Sequence, residues 1–178
     1  MNHSSTDHES PPRPASPLEG VIVGMIGAAV VALFFLGADL MRGTPLLTPS
    51  ILGEVFVLRR PEAVTNSVDM SAVVAYTVAH VMVFVAFGLV LAGLSRRSEV
   101  SSLARYGMIA VFVAFELFFY GLLAIASETT RGMFPTWSVL VANLLAAAAM
   151  VVYLWRAHPA LRRVAGRAPL GAPDRATE

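Results

Sequence analysis

The chain contains no cysteine. That absence excludes disulfides, thiolate-bound zinc, iron–sulfur ligation and thiol nucleophiles together. Lysine is missing too: all thirteen basic residues are arginine, and the formal net charge is +1. A balance so close to zero offers no basic stripe for a phosphate backbone, so nucleic acid is not an expected partner. Charge of either sign is scarce, at 14% of residues, against roughly 25% in a soluble domain. There is no HExxH, no nucleophile elbow and no P-loop. No second carboxylate is spaced to share acid–base work with Glu116. Nothing in these motifs points to an enzyme, and no cofactor is specified.

What the chain has in quantity is apolar surface. Hydrophobic residues make up 56% of it, gathered into four blocks of about twenty, the length that crosses a hydrocarbon core of about 30 Å. The sequence therefore predicts an all-α integral membrane protein. Its expected form is a four-transmembrane-helix bundle at 18–157, with spans near 18–40, 71–94, 103–127 and 135–157. Residues 1–17 and 158–178 are polar, with many prolines and arginines, and are expected to be disordered tails. His3 and His8 in the first tail read as incidental rather than as metal ligands, and no metal site is expected.

Orientation follows from arginine placement. The first tail, the linker between spans two and three, and the last tail share one side. Arg13, Arg96, Arg97, Arg105, Arg156, Arg162, Arg163, Arg167 and Arg175 lie there, nine of the thirteen. Arg42, Arg59, Arg60 and Arg131, the other four, lie opposite. The positive-inside rule then puts both termini in the cytoplasm, with a bacterial inner membrane as the expected location. Trp137, Tyr153 and Trp155 fall where interfacial aromatic belts form.

Within the first span, Gly20 and Gly24 make a GxxxG extended on nearly the same face by Gly27 and Ala28. Small residues at that spacing let a second helix approach closely, and packing inside the chain is the expected use. Asp39 and Arg42 are spaced to pair at the end of this span. In the long linker 43–70, Thr48-Pro49 reads as N-cap and first helical position. The segment after it reads as a short interfacial helix with Ile51, Leu52, Val55 and Phe56 on its apolar face.

The ionisable residues inside the spans carry the functional expectation. His80 lies two residues from the midpoint of its span and Glu116 one residue from the midpoint of the next, both displaced toward the outer side. At about 1.5 Å per residue both sit within roughly 3 Å of the midplane. Asn143 of the fourth span is close to the same layer. Tyr76 shares a helix face with His80, and Tyr120 with Glu116, one turn away in each case. A carboxylate in hydrocarbon costs at least about 2.5–3 kcal/mol. The expected arrangement is therefore a polar centre of His80, Glu116, Tyr76, Tyr120 and Asn143, in which the imidazole and carboxyl group share a proton.

Three functions fit this pattern. The centre binds a small molecule, such as a quinone headgroup on His80 and Tyr76, or handles a proton. Alternatively the chain is a structural subunit or assembly factor of a larger membrane complex. The third option is haem or metal ligation by His80 in a homo-oligomer, because His158 is too far along its helix to reach the same iron.

Overall fold

The computed structural model describes residues 17–60, 67–98, 102–125 and 136–157. Both tails, the turn around 128–134, Ser127 and the histidines His3, His8 and His158 lie outside the described residues. Among those described, regular structure is entirely helical: α1 (Pro17–Met41), α2 (Leu47–Leu52), α3 (Met70–Ser98), α4 (Ser102–Ile125) and α5 (Thr136–Ala157). A single π-helical turn, Gly53–Val57, follows α2 without a break. Three of these helices, α1, α3 and α5, are long and apolar enough to cross a membrane. The described apolar stretch of α4 is shorter, Phe112–Gly121.

All the long neighbours run antiparallel. Helix α1 packs most extensively on α3 and next on α5, while α4 rests mainly on α3 and only sparsely on α5. The α1–α3 crossing is a backbone-to-backbone contact, set by glycine. A Cβ added at Gly24 would lie 2.5 Å from the Val85 Cα and against the Phe84 carbonyl oxygen. One added at Gly88 would lie 2.8 Å from the Gly24 Cα. Gly20 meets Leu89, and Gly27 meets Met150 and Phe84. The GxxxG face of α1 is thus occupied from inside the chain, by Gly88 of α3. The core continues away from this crossing as Ala28, Val31, Phe84, Phe115, Ala142 and Ala146, all buried. Alanines on α5 supply the smooth surface that lets Phe84 and Phe115 fill the interior with rings 5.3 Å apart.

The connection from α1 to α3 differs from expectation in two places. Asp39 does not use its carboxylate on Arg42. It is 2% exposed, and its Oδ2 accepts from the Thr48 N–H at 2.8 Å while Oδ1 accepts from the Thr48 hydroxyl at 2.6 Å. Thr48 is also not the N-cap. That position is Leu46, in the left-handed region at φ 65°, with Thr48 and Pro49 two and three places further in. Leucine has no side-chain acceptor for the free N–H groups of the first turn. The carboxylate of Asp39, nine residues back, does that work instead.

The short helix is present, but it does not simply lay an apolar face outward on a surface. Thr48, Ser50 and Glu54 are buried with Ile51 and Leu52, whereas Val55 and Phe56 are half-buried and Val57 is exposed. The polar side faces inward because it meets the start of α3. The Ser50 hydroxyl accepts from the Asp69 N–H at 2.8 Å. A Cβ on Gly53 would collide with the Ala72 carbonyl, so only glycine lets the π turn sit this close. Asp69 in turn caps α3, accepting at Oδ1 from the Ser71 N–H and hydroxyl, each at 2.7 Å. Those bonds from the Ser71 hydroxyl and then its N–H hold the Asp69 carboxyl below its ordinary range.

Candidate functional site

His80 is on the face of α3 that meets α1. Its neighbours one turn either way are aromatic. Tyr76 stacks on it at 5.4 Å between ring centroids with planes 28° apart, and Phe84 lies 4.7 Å away on the other side. The ring is 8% exposed, and its Nε2 lies 3.1 Å from the Ala28 carbonyl oxygen of α1. A carbonyl only accepts, so Nε2 carries the hydrogen. This contact depends on the glycine crossing, because Ala28 is one turn beyond Gly24 and comes within reach only where the two backbones nearly touch. In the uncharged ring, Nδ1 is then left as an acceptor.

Two recesses share Tyr76 and His80 as a wall. One, of about 160 Å³, lies between α1, α2 and α3 and includes Val31, Phe35, Leu46 and Pro49. The other, of about 140 Å³, lies between the π turn, α3 and α4 and includes Leu52, Phe56, Ala79 and Phe118. Both are walled almost wholly by carbon. Each is near the ~150 Å³ that a single benzene-sized ring fills in an apolar cavity. Their rims include Leu33 and Phe118, which are 66% and 55% exposed on the flanks of the helices.

Glu116 does not meet His80. The carboxyl group, on a residue 8% exposed, faces α5, where its Oε2 accepts from the Asn143 Nδ2 at 3.4 Å. Its Oε1 is buried with no hydrogen-bond partner. The expected proton-sharing imidazole–carboxyl pair is therefore replaced by two separate polar contacts. Equal depth does not fix rotation about a helix axis, and here rotation sends His80 toward α1 and Glu116 toward α5. Phe84 and Phe115 fill the space between, each packed on the other. Of the five residues expected in one centre, Tyr76 joins His80 and Asn143 joins Glu116. Tyr120 is half-buried one turn along from Glu116.

Sequence reasoning passed over Gly88, Ser50 and Asp69, and it gave Ala28, Asp39 and Thr48 other roles: a small packing residue, a partner of Arg42 and an N-cap. Gly88 carried a readable signal, since it interrupts an apolar run opposite another glycine face. The bond from His80 to Ala28 carried none, because the acceptor is a backbone carbonyl. No group of three or more metal-ligating side chains occurs among the described residues. No protein-family model, no curated protein and no solved structure matches this chain, so the chemistry of these two contacts is what bears on function.

Proposed function

We propose that this is a four-span membrane protein that binds a lipophilic small molecule at His80, with a ring-sized head group carrying a hydrogen-bonding oxygen, of the quinone and quinol class. The observation that carries the proposal is the state of the His80 ring. One nitrogen is committed to the Ala28 carbonyl, and the ring forms the shared wall of two carbon-lined recesses of single-ring size. An ionisable ring in hydrocarbon is a costly way to hold helices together when glycine contacts already do so. A ligand hydroxyl donating to Nδ1 uses what the fold leaves over. Tyr76 offers a ring face for stacking and a phenol for a second bond. Entry is lateral, from the acyl chains past Leu33 or Phe118.

In this reading α4 is the fourth span, and the polar centre expected from the sequence divides into a ligand site at His80 and Tyr76 and a separate contact at Glu116. The test uses the full chain in lipid nanodiscs with a short-chain ubiquinol as probe. Saturation at a hundred times the dissociation constant adds about 2.7 kcal/mol to stability, read as a rise in Tm. His80→Phe, which keeps the ring volume, abolishes that rise at unchanged expression and fold. An equal rise in His80→Phe, or none in the native chain with ubiquinol, ubiquinone or menaquinol, refutes the reading.

A further inference from the structure

The Glu116–Asn143 contact is half of a known chemical pairing. A carboxylic acid and a primary amide form a closed ring of two hydrogen bonds. The amide N–H donates to one acid oxygen, and the acid O–H on the other oxygen donates to the amide carbonyl. Here the first bond exists, Asn143 Nδ2 to Glu116 Oε2 at 3.4 Å, which is long for an N–H···O bond. Oε1, which the second bond requires as donor, is the buried atom with no partner. As a carboxylate, Glu116 has one long bond and one bare oxygen. With a proton on Oε1 it gains a donor, and the amide bonded to its other oxygen carries a carbonyl that can accept.

The carboxyl's hydrogen bond goes to Asn143, and Oε1 has none. Helix α5 faces it with Asn143, flanked by Ala142 and Ala146, and has no ionisable residue before Tyr153 and Arg156 near its far end. On α3 the titratable groups are Tyr76, His80, whose bond goes to α1 with Phe84 and Phe115 between, and Arg96 and Arg97 in its last turn. Helix α1 has only Glu19 and Asp39, one near each end, and the latter is bonded to Thr48. On α4 itself the nearest is Tyr120. Among the described residues no cation is bonded to the carboxyl, and an uncompensated charge in hydrocarbon costs several kcal/mol.

We infer that Glu116 is a proton-binding site, taking a proton on Oε1 and in that state closing a two-bond acid–amide ring with Asn143. The pair bridges a seam where α4 touches α5 only sparsely among the described residues. Proton binding therefore draws α4 onto α5, and proton release loosens the seam. The amide is what makes the site reversible, because it stays bonded to the carboxylate through Nδ2 when the proton leaves.

The experiment is infrared difference spectroscopy of the full chain in lipid bilayers, titrated from mildly acidic to alkaline pH. Mass-spectrometric mapping of labelling by a hydrophobic carbodiimide, which attacks only protonated carboxyl groups, accompanies it. The expected result is a carboxylic-acid C=O band and a Glu116 label, both absent in E116Q, which keeps shape and fold through an amide–amide pair. The band moves to the frequency of an unbonded acid in Asn143→Leu, falls away as pH rises, and is unchanged in His80→Phe. Absence of an acid band or label at Glu116 throughout the pH range overturns the inference. So does a band indifferent to Asn143→Leu. Failure of the ligand site leaves these readouts untouched, because His80 takes no part in them.

Discussion

Substitution of Gly24 by alanine tests the helix crossing that holds His80 against Ala28. The added methyl would stand 2.5 Å from the Val85 Cα and against the Phe84 carbonyl oxygen. Comfortable carbon contact begins near 3.5 Å, so α1 and α3 must part by about 1 Å at this level. Overpacking of that kind costs roughly 1–3 kcal/mol. A second cost follows one turn away. The His80 Nε2 to Ala28 carbonyl contact, 3.1 Å in the native fold, is stretched out of hydrogen-bond range. That adds about 1 kcal/mol, giving a total near 2–4 kcal/mol. Gly37→Ala is the matched control, in the same helix with no atom within 4 Å of the added carbon. It gains at most about 1 kcal/mol of helix propensity. Reversible unfolding in mixed micelles, followed by circular dichroism, measures both. Gly88→Ala should resemble Gly24→Ala, and the double variant should cost less than the sum because one separation relieves both. If Gly24→Ala proves no less stable than Gly37→Ala, the crossing is not the close contact described.

Three other outcomes concern the connection between α1 and α3. Asp39→Ala leaves the buried Thr48 N–H and hydroxyl without the Asp39 acceptor, a loss of about 2–6 kcal/mol at roughly 1–3 kcal/mol for each orphaned group. A double-mutant cycle with Thr48→Val in the same micelle assay should show strong coupling, and additivity would contradict the bond. Gly53→Ala should destabilise the protein and raise proteolysis between α2 and α3, since its Cβ collides with the Ala72 carbonyl; unchanged cleavage would argue against the packed π turn. Asp69, whose carboxyl is held below its ordinary range by Ser71, stabilises the fold above the usual aspartate value near pH ~3.9 and loses that contribution as pH falls through its lowered value. The stability gap between native chain and Asp69→Asn should therefore narrow below about pH 4, and a gap independent of pH there would refute the cap.

How far the sequence carried depends on what each feature rests on. Helix positions were legible because apolar runs of spanning length are long-range signals that survive local error. The expected start at Leu18 and the observed start at Pro17 differ by one residue. The packing face of α1 was legible for a related reason, since small residues four apart admit few uses in lipid. The partner of that face was not, because Gly88 had to be matched to Gly24 across sixty-four residues. Rotation was the main loss. Spacing along the chain sets the depth of His80 and Glu116, and depth is blind to which neighbour a side chain faces. The aromatic rows on the same faces, Tyr76 and Phe84 around His80 and Phe115 and Phe119 beside Glu116, decide the rotation by filling the α3–α4 interface with rings. Asp39 was misassigned because its neighbour in sequence, Arg42, lies at the exposed end of the turn, whereas an unsupported helix start was folded over the carboxylate.

His80 is fixed by a backbone carbonyl of α1 and makes no bond to Glu116. Nitrogen-15 NMR of histidine-labelled protein in bilayers reads the tautomer of that ring directly. The expected spectrum has a hydrogen on Nε2, a bare Nδ1 that shifts when the ubiquinol probe binds, and no change at rest in E116Q. A ring whose protonation or tautomer changes when Glu116 is neutralised would contradict it.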